Sequence, residues 1–255
     1  MRGEKHTKAL IDNVGKFFRK NYLYIFSLVL LVLVPVLIYF SINWDSRKII
    51  SQLSINGNDY VPQEIIMKLI PDSLYKKEKG KIELNKIASA VEQYPFVESA
   101  NAMFASGNAI KIELKIRQPV ARLTGNSEKA LTDVNGVVMP DLFFDNFSSL
   151  PVLRNCFNND VLDTTRFDLC LSLLNFINNN FQVVSAMLKA IDTKEDDNIE
   201  LILKKNEAKV LLGDTNNKFQ KINKLDVFLT EYLQGAVKRK VMLIDLRWSR
   251  QLVVN

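Results

Sequence analysis

From Asn21 to Trp44 the chain carries no charged side chain, and apolar residues follow one another on every side of any helix drawn through them. Twenty-four helical residues reach about 36 Å, more than the roughly 30 Å hydrocarbon core of a bilayer, so the pattern predicts a membrane-spanning helix over 21–44. Pro35 falls in mid-span, where lipid-buried helices tolerate proline, and Tyr22, Tyr24, Tyr39 and Trp44 flank the run as an aromatic belt would. A cleaved signal peptide is the rival reading. The run is longer than such a segment usually is, and "FSINWDSRK" offers no small-x-small cleavage site, so an uncleaved anchor is expected.

Beyond Trp44 the spacing changes. Gln52 and Ser54 alternate with Leu53 and Ile55 into Asn56-Gly57-Asn58, which predicts a strand entering a turn, with Gly57 free to take positive φ. Pro62 suits the first turn of a helix carrying Ile65, Ile66 and Leu69, closed by Pro71, and the lysine-rich "YKKEKGK" reads as a loop. Leu84, Ile87, Ala88 and Val91 keep helical spacing up to Pro95. Two strands then flank Ser106-Gly107-Asn108, and in the second Ile110, Ile112, Leu114 and Ile116 alternate with charged residues. The order is strand, helix, helix, strand, strand, in which two helices can cover one face of a three-stranded sheet.

Gln118-Pro119 interrupts the pattern and marks a boundary. A hairpin about Asn135-Gly136 follows, then a short strand in "SSLPVLRN". Asp163 or Thr164 caps a helix with the stripe Phe167, Cys170, Leu171, Leu174 and Ile177. Strands are expected around 187–193, 199–204 and 208–212, with a turn at Gly213-Asp214. A helix over 217–233 would bury Phe219, Ile222, Leu225, Leu229 and Tyr232. In the closing segment Met242, Ile244, Leu246 and Trp248 alternate with Leu243, Asp245, Arg247 and Ser249, the pattern of a half-buried strand.

Charge adds a direction. Of the formal net charge of +6, the first twenty residues supply four, through six basic and two acidic side chains. The positive-inside rule therefore holds the N-terminus in the cytoplasm and puts everything after the span outside, and the basic balance reflects topology more than a nucleic-acid surface. Cys156 and Cys170, the two cysteines, either pair in an oxidising compartment or act as small core hydrophobes. His6 is the single histidine and lies before the span, which excludes Ser-His-Asp, Cys-His and histidine-zinc chemistry from the exported part. Ser73-Leu74-Tyr75-Lys76 fits the S-x-x-K of penicillin-binding enzymes, but no K-T-G or K-S-G follows and chance explains the match.

Taken in order, "LSINGNDYVPQEII", "YPFVESANAMFASGNAIKIELKIRQPVARL", "LTDVNGVV", "AKVLLGD" and "IDLRWSRQLVV" carry a resemblance. Over nearly its full length the chain resembles the FtsQ/DivIB family of bacterial cell-division proteins. The resemblance implies an α+β fold. A cytoplasmic tail over 1–20 and a transmembrane helix over 21–44 precede a β-α-α-β-β POTRA domain over 45–122 and a mixed β domain with two helices over 123–255. It implies a non-enzymatic scaffold in the bacterial inner membrane at the division site. Such a scaffold binds FtsB- and FtsL-type partners outside the membrane and supports control of septal peptidoglycan synthesis, with no cofactor, metal, nucleic acid or small-molecule substrate. In the family a partner strand is added to the last strands of the β domain. Carried onto this sequence, that points to Leu246, Arg247, Trp248, Ser249 and Arg250. Trp248 stands where the family often has tyrosine, and it is expected either as an interface anchor or as a core filler. Two other classes stand beside this one. An anchored POTRA protein of envelope assembly would need several such modules or a barrel, and an anchored regulator would carry its determinants in the short tail.

Overall fold

A computed structural model of the chain describes residues 2–125, 129–193, 198–235, 240–248 and 251–255. Helix α1, Arg2–Ser46, contains Pro35 and includes the stretch Tyr22–Ser46, which is long and apolar enough to cross a membrane. Its most apolar window of eighteen residues has none buried by protein. A helical run that is apolar all round and exposed over most of its length has a surface suited to lipid.

Contacts among the remaining elements separate two units, one of Met1–Glu92 with Ser99–Leu114, the other of Gln93–Glu98 with Lys115–Asn255. The first holds β1 (Gln52–Asn56), α2 (Gln63–Lys68), α3 (Asp72–Tyr75), α4 (Leu84–Glu92), most of β2 (Val97–Ala105) and most of β3 (Ala109–Ile116). The sheet order is β1-β3-β2, with β1 parallel to β3 from Gln52 opposite Ala109 to Asn56 opposite Glu113. The alternation in β3 translates directly: Ile110, Ile112, Leu114 and Ile116 are buried, and Ile66, Ile87 and Val91 are the fully buried residues of the helices α2 and α4. Gly57 does take positive φ, at 78°, and Gly107 takes 75° in the β2–β3 turn. The lysine-rich stretch read as a loop is more ordered than expected. The single turn α3 precedes it, a 3-10 turn at Lys79–Lys81 lies within it, and Glu78 forms an antiparallel bridge to Ile49.

The second unit is built on a nine-stranded sheet. Its strands are β4 (Pro119–Thr124), β5 (Lys129–Asp133), β6 (Val138–Pro140), β7 (Val152–Arg154), β10 (Leu188–Thr193), β11 (Ile199–Leu203), β12 (Lys209–Gly213), β13 (Leu243–Asp245) and β14 (Val253–Val254). The spatial order is β14-β13-β12-β11-β10-β7-β4-β5-β6, and a separate two-stranded ribbon joins β8 (Phe157–Asn158) to β9 (Val161–Leu162). Strand β4 was not expected, because Pro119 reads as a break. Proline is tolerated as the first residue of a strand, which is where it sits. Among the described residues three α-helices accompany the sheet where two were expected, α5 (Thr164–Asn180), the short α6 (Gln182–Met187) and α7 (Lys218–Leu233), together with a 3-10 helix at Asp141–Phe147.

Asp163 is the cap of α5, accepting from the Arg166 amide at 3.1 Å. The α5 stripe and Ile222, Leu225 and Leu229 of α7 meet Leu123, Leu201, Val210, Leu212 and Ile244 in one core. Phe219 does not join it. It lies in the first turn of α7, more than half exposed, with its ring 5.5 Å from that of Phe181. Cys156 and Cys170 are both buried and not disulfide-bonded. The hydrogen bond that Cys156 shares with Cys170, together with burial, pushes its thiol well above the usual range, so it behaves as a core hydrophobe.

Candidate functional site

The C-terminal margin of the large sheet is where the sequence-derived residues fall. Strand β13 is three residues long and runs parallel to β12, with Val210 opposite Ile244 and Leu211 opposite Asp245. The expected longer strand stops there because the chain turns away after Leu246, whose amide still donates to the Leu211 carbonyl at 3.0 Å. On its other side β13 pairs with β14, Ile244 opposite Val254 and Asp245 opposite Val253, and the Asn255 amide donates to the Leu243 carbonyl at 2.9 Å. The margin of the sheet is thus β14, and Leu246, Arg247 and Trp248 begin the connection that leads towards it.

The structure describes three of the five expected residues and separates them. Leu246 is 0% exposed and belongs to the core, so its side chain is withheld from any partner. Trp248 is 57% exposed, which overturns its reading as a core filler. The Arg247 side chain lies outward, its stem 3.1 Å from where a Cβ on Gly213 would be, and Gly213 at φ 70° is bare there. Ser249 and Arg250 lie outside the described residues.

Three further groups hold this connection in place. Asp245 is nearly buried and accepts from the Arg247 amide at 3.0 Å, from its Nε at 3.0 Å and from its Nη2 at 2.7 Å. Lys224 of α7 donates to the Trp248 carbonyl at 3.3 Å. Val227 and Phe228 of α7 face Gln251 and Leu252 across an open groove of about 370 Å³. Asp245 and Lys224 were not singled out from the sequence. Asp245 stands two residues before Arg247, on the same side of an extended chain, and that opposite-charge spacing is a visible signal; Lys224 is brought in only by the fold.

The Arg247 hydrogen bonds hold the Asp245 carboxyl below the usual carboxylate range. A carboxyl depressed in the folded state contributes stability above its unfolded value of about 3.9 and loses that contribution as pH falls through the folded value. The β13–β14 pair is therefore expected to hold steady from neutral pH to about 5 and to loosen only below about 4. Urea midpoints measured down the pH scale check this, and Arg247→Gln should flatten that part of the acid dependence.

Other chemistry suggested by the sequence has no support from geometry. Ser73 lies exposed in the single turn α3, and the Lys76 ammonium is held by Asp72 at 2.6 Å. Among the described residues no group of three or more His, Cys, Asp or Glu could hold a metal ion.

A sequence model of the family described as "FtsQ/DivIB, C-terminal related" matches residues 118–255, a range that includes every strand of the large sheet and the whole of this margin. The chain belongs to the FtsQ/DivIB family. It is also 23% identical over 207 residues to a protein named "Cell division protein FtsQ" from Koribacter versatilis (strain Ellin345), an alignment covering 80% of this chain and 59% of that protein. The chain thus spans less than two thirds of that relative's length. The FtsQ/DivIB match gives the mixed α+β second unit its family, and the margin formed by β12, β13 and β14 lies wholly inside it.

Proposed function

We propose that this chain is a cell-division protein of the inner membrane and that it works as a non-enzymatic scaffold. On this reading α1 anchors it through residues 21–44, with the basic tail in the cytoplasm. The exported part comprises a POTRA domain over 45–122 and a β domain over 123–255, with β4, Pro119–Thr124, running across the boundary between them. The family membership, the name of the relative and the apolar helix support the division role and the membrane setting. The partners are FtsB- and FtsL-type division proteins, joined by strand addition beside the C-terminal margin, in support of septal peptidoglycan synthesis.

The observation that carries the reading is the presentation of Trp248. Its carbonyl accepts from Lys224, the two residues before it are tied through the Leu246 amide and the Asp245 carboxylate, and its own side chain is left exposed. Fixed backbone and a free aromatic face are what an interface anchor requires, since little ordering entropy is left to lose on binding. Arg247 adds a charge on the same connection, and Ser249 and Arg250 extend the proposed contact.

Trp248→Ala is expected to cost about 2 kcal/mol of partner affinity, or roughly thirtyfold in Kd, with folding stability changed by less than about 0.5 kcal/mol. Affinity measured with the membrane-solubilised full chain, beside a urea melt of the same variant, checks both. Unchanged affinity in a folded variant would remove Trp248 from the interface. A tagged copy spread evenly over the envelope, with no band at midcell, would argue against the division role as a whole.

A further inference from the structure

The segment leaving α1 has no slack. Within the first unit, Lys48 donates back to the Asp45 carbonyl at 3.2 Å, Ile50 donates to the Lys77 carbonyl at 3.2 Å, and Lys79 donates to the Lys48 carbonyl at 2.8 Å. Ile49 bridges Glu78, and the Asp45 carboxylate is shared by the Lys79 and Lys48 ammonium groups. Gly80 lies so close to the helix end that a Cβ there would be 3.2 Å from the Ser46 Cβ. The lysine-rich stretch is a strap tied across the last turn of the helix.

Depth follows from these ties. An uncharged run about 36 Å long overreaches a core of about 30 Å by some 3 Å at each end, and the headgroup layer beyond is about 5 to 7 Å thick. Asp45 to Ile50 then lie in that layer. Paired backbone runs about 5 Å from its neighbour, so 77–79 lie at a comparable depth. The strap and the helix end together carry Arg47, Lys48, Lys76, Lys77, Lys79 and Lys81 against Asp45, Asp72 and Glu78, an excess of three positive charges. Arg47 and Lys48 are exposed, as are the apolar Trp44 and Ile49 beside them. Apolar and aromatic groups among cations are the composition of a headgroup contact, and the excess here is smaller than in the N-terminal tail, so the orientation argument is unaffected.

We infer that the strap at Lys76–Lys81, with Arg47 and Lys48, binds anionic phospholipid headgroups in the leaflet where α1 leaves the membrane. This rests on the membrane reading of α1 and goes beyond it. Headgroup phosphates then fix how the first unit stands on the bilayer, through side chains that the fold has already tied to the helix end.

Hydrogen exchange of the full chain in nanodiscs tests this. Amides of 47–51 and 76–82 should exchange roughly threefold or more slowly in phosphatidylcholine discs carrying about 30% phosphatidylglycerol than in phosphatidylcholine alone. The triple variant Arg47→Gln, Lys77→Gln, Lys81→Gln should lose that difference while β3 keeps its protection, which shows that the unit remains folded. Equal exchange of the native chain in both bilayers would overturn the inference, as would a lipid effect that survives the triple variant. Slowing in neutral discs on adding polyglutamate, without any lipid effect, would reassign the surface to an acidic polypeptide and also overturn it. Release of the chain from membranes by alkaline carbonate would instead sink the membrane reading itself.

Discussion

Asp133→Ala is expected to destabilise the second unit by about 3 to 5 kcal/mol, the range for breaking a buried ion pair from one side. The Asp133 side chain is 5% exposed and its Oδ2 accepts from Arg117 Nη1 at 3.0 Å. Its Oδ1 accepts from the amides of Asn135 and Val137 at 3.0 and 2.8 Å. One carboxylate therefore neutralises a largely buried guanidinium and shapes the β5–β6 turn. Alanine removes both functions and leaves the two amides without their acceptor, whereas Asp133→Asn keeps an acceptor for the turn and should cost less. Urea unfolding of the two variants measures the difference. A loss under about 1 kcal/mol for alanine would mean that water reaches Arg117 and substitutes for the carboxylate.

Gly57→Ala is expected to cost the first unit about 3 kcal/mol or more, and for a different reason. At φ 78° any L side chain is strained, and the added Cβ would stand 2.2 Å from the Leu114 carbonyl oxygen. That oxygen belongs to β3, the strand that β1 joins along its whole length, so relief requires pulling the two strands apart. Gly107→Ala is the control. Its φ is 75°, yet nothing lies within 4 Å of the new Cβ, so it should cost only about 1 kcal/mol. Exchange protection of β1 and β3 reports both variants, and equal effects would show that backbone strain alone matters at Gly57.

Much of this architecture is written in local patterns. The β3 alternation, the α5 stripe with its Asp163 cap, and the Asn135-Gly136 and Gly57 turns each depend on neighbours a few residues away, and each is found where the pattern puts it. Legibility ends where distant chain segments decide. Phe219 has helical spacing with Ile222, but packing against Phe176 and Phe181 settles its place. Leu246 and Trp248 share one alternation, yet the chain leaves the sheet between them, so one enters the core and the other solvent. That departure depends on Leu211, Asp245 and Lys224, which no periodicity groups together. The role of Asp133 was hidden for the same reason, since its partner Arg117 lies sixteen residues earlier.

The brevity of β14 has a consequence for self-association. A ladder of Val253 and Val254, prolonged by the Asn255 backbone, is too short to template an open-ended stack of identical molecules, the hazard that long bare margins carry. Backbone of that length also offers few hydrogen bonds to any visitor, so on the proposed scaffold reading recognition leans on the side chains around it. On that reading, substitutions at exposed positions such as Trp248 would change which molecule docks while the fold beneath stays the same.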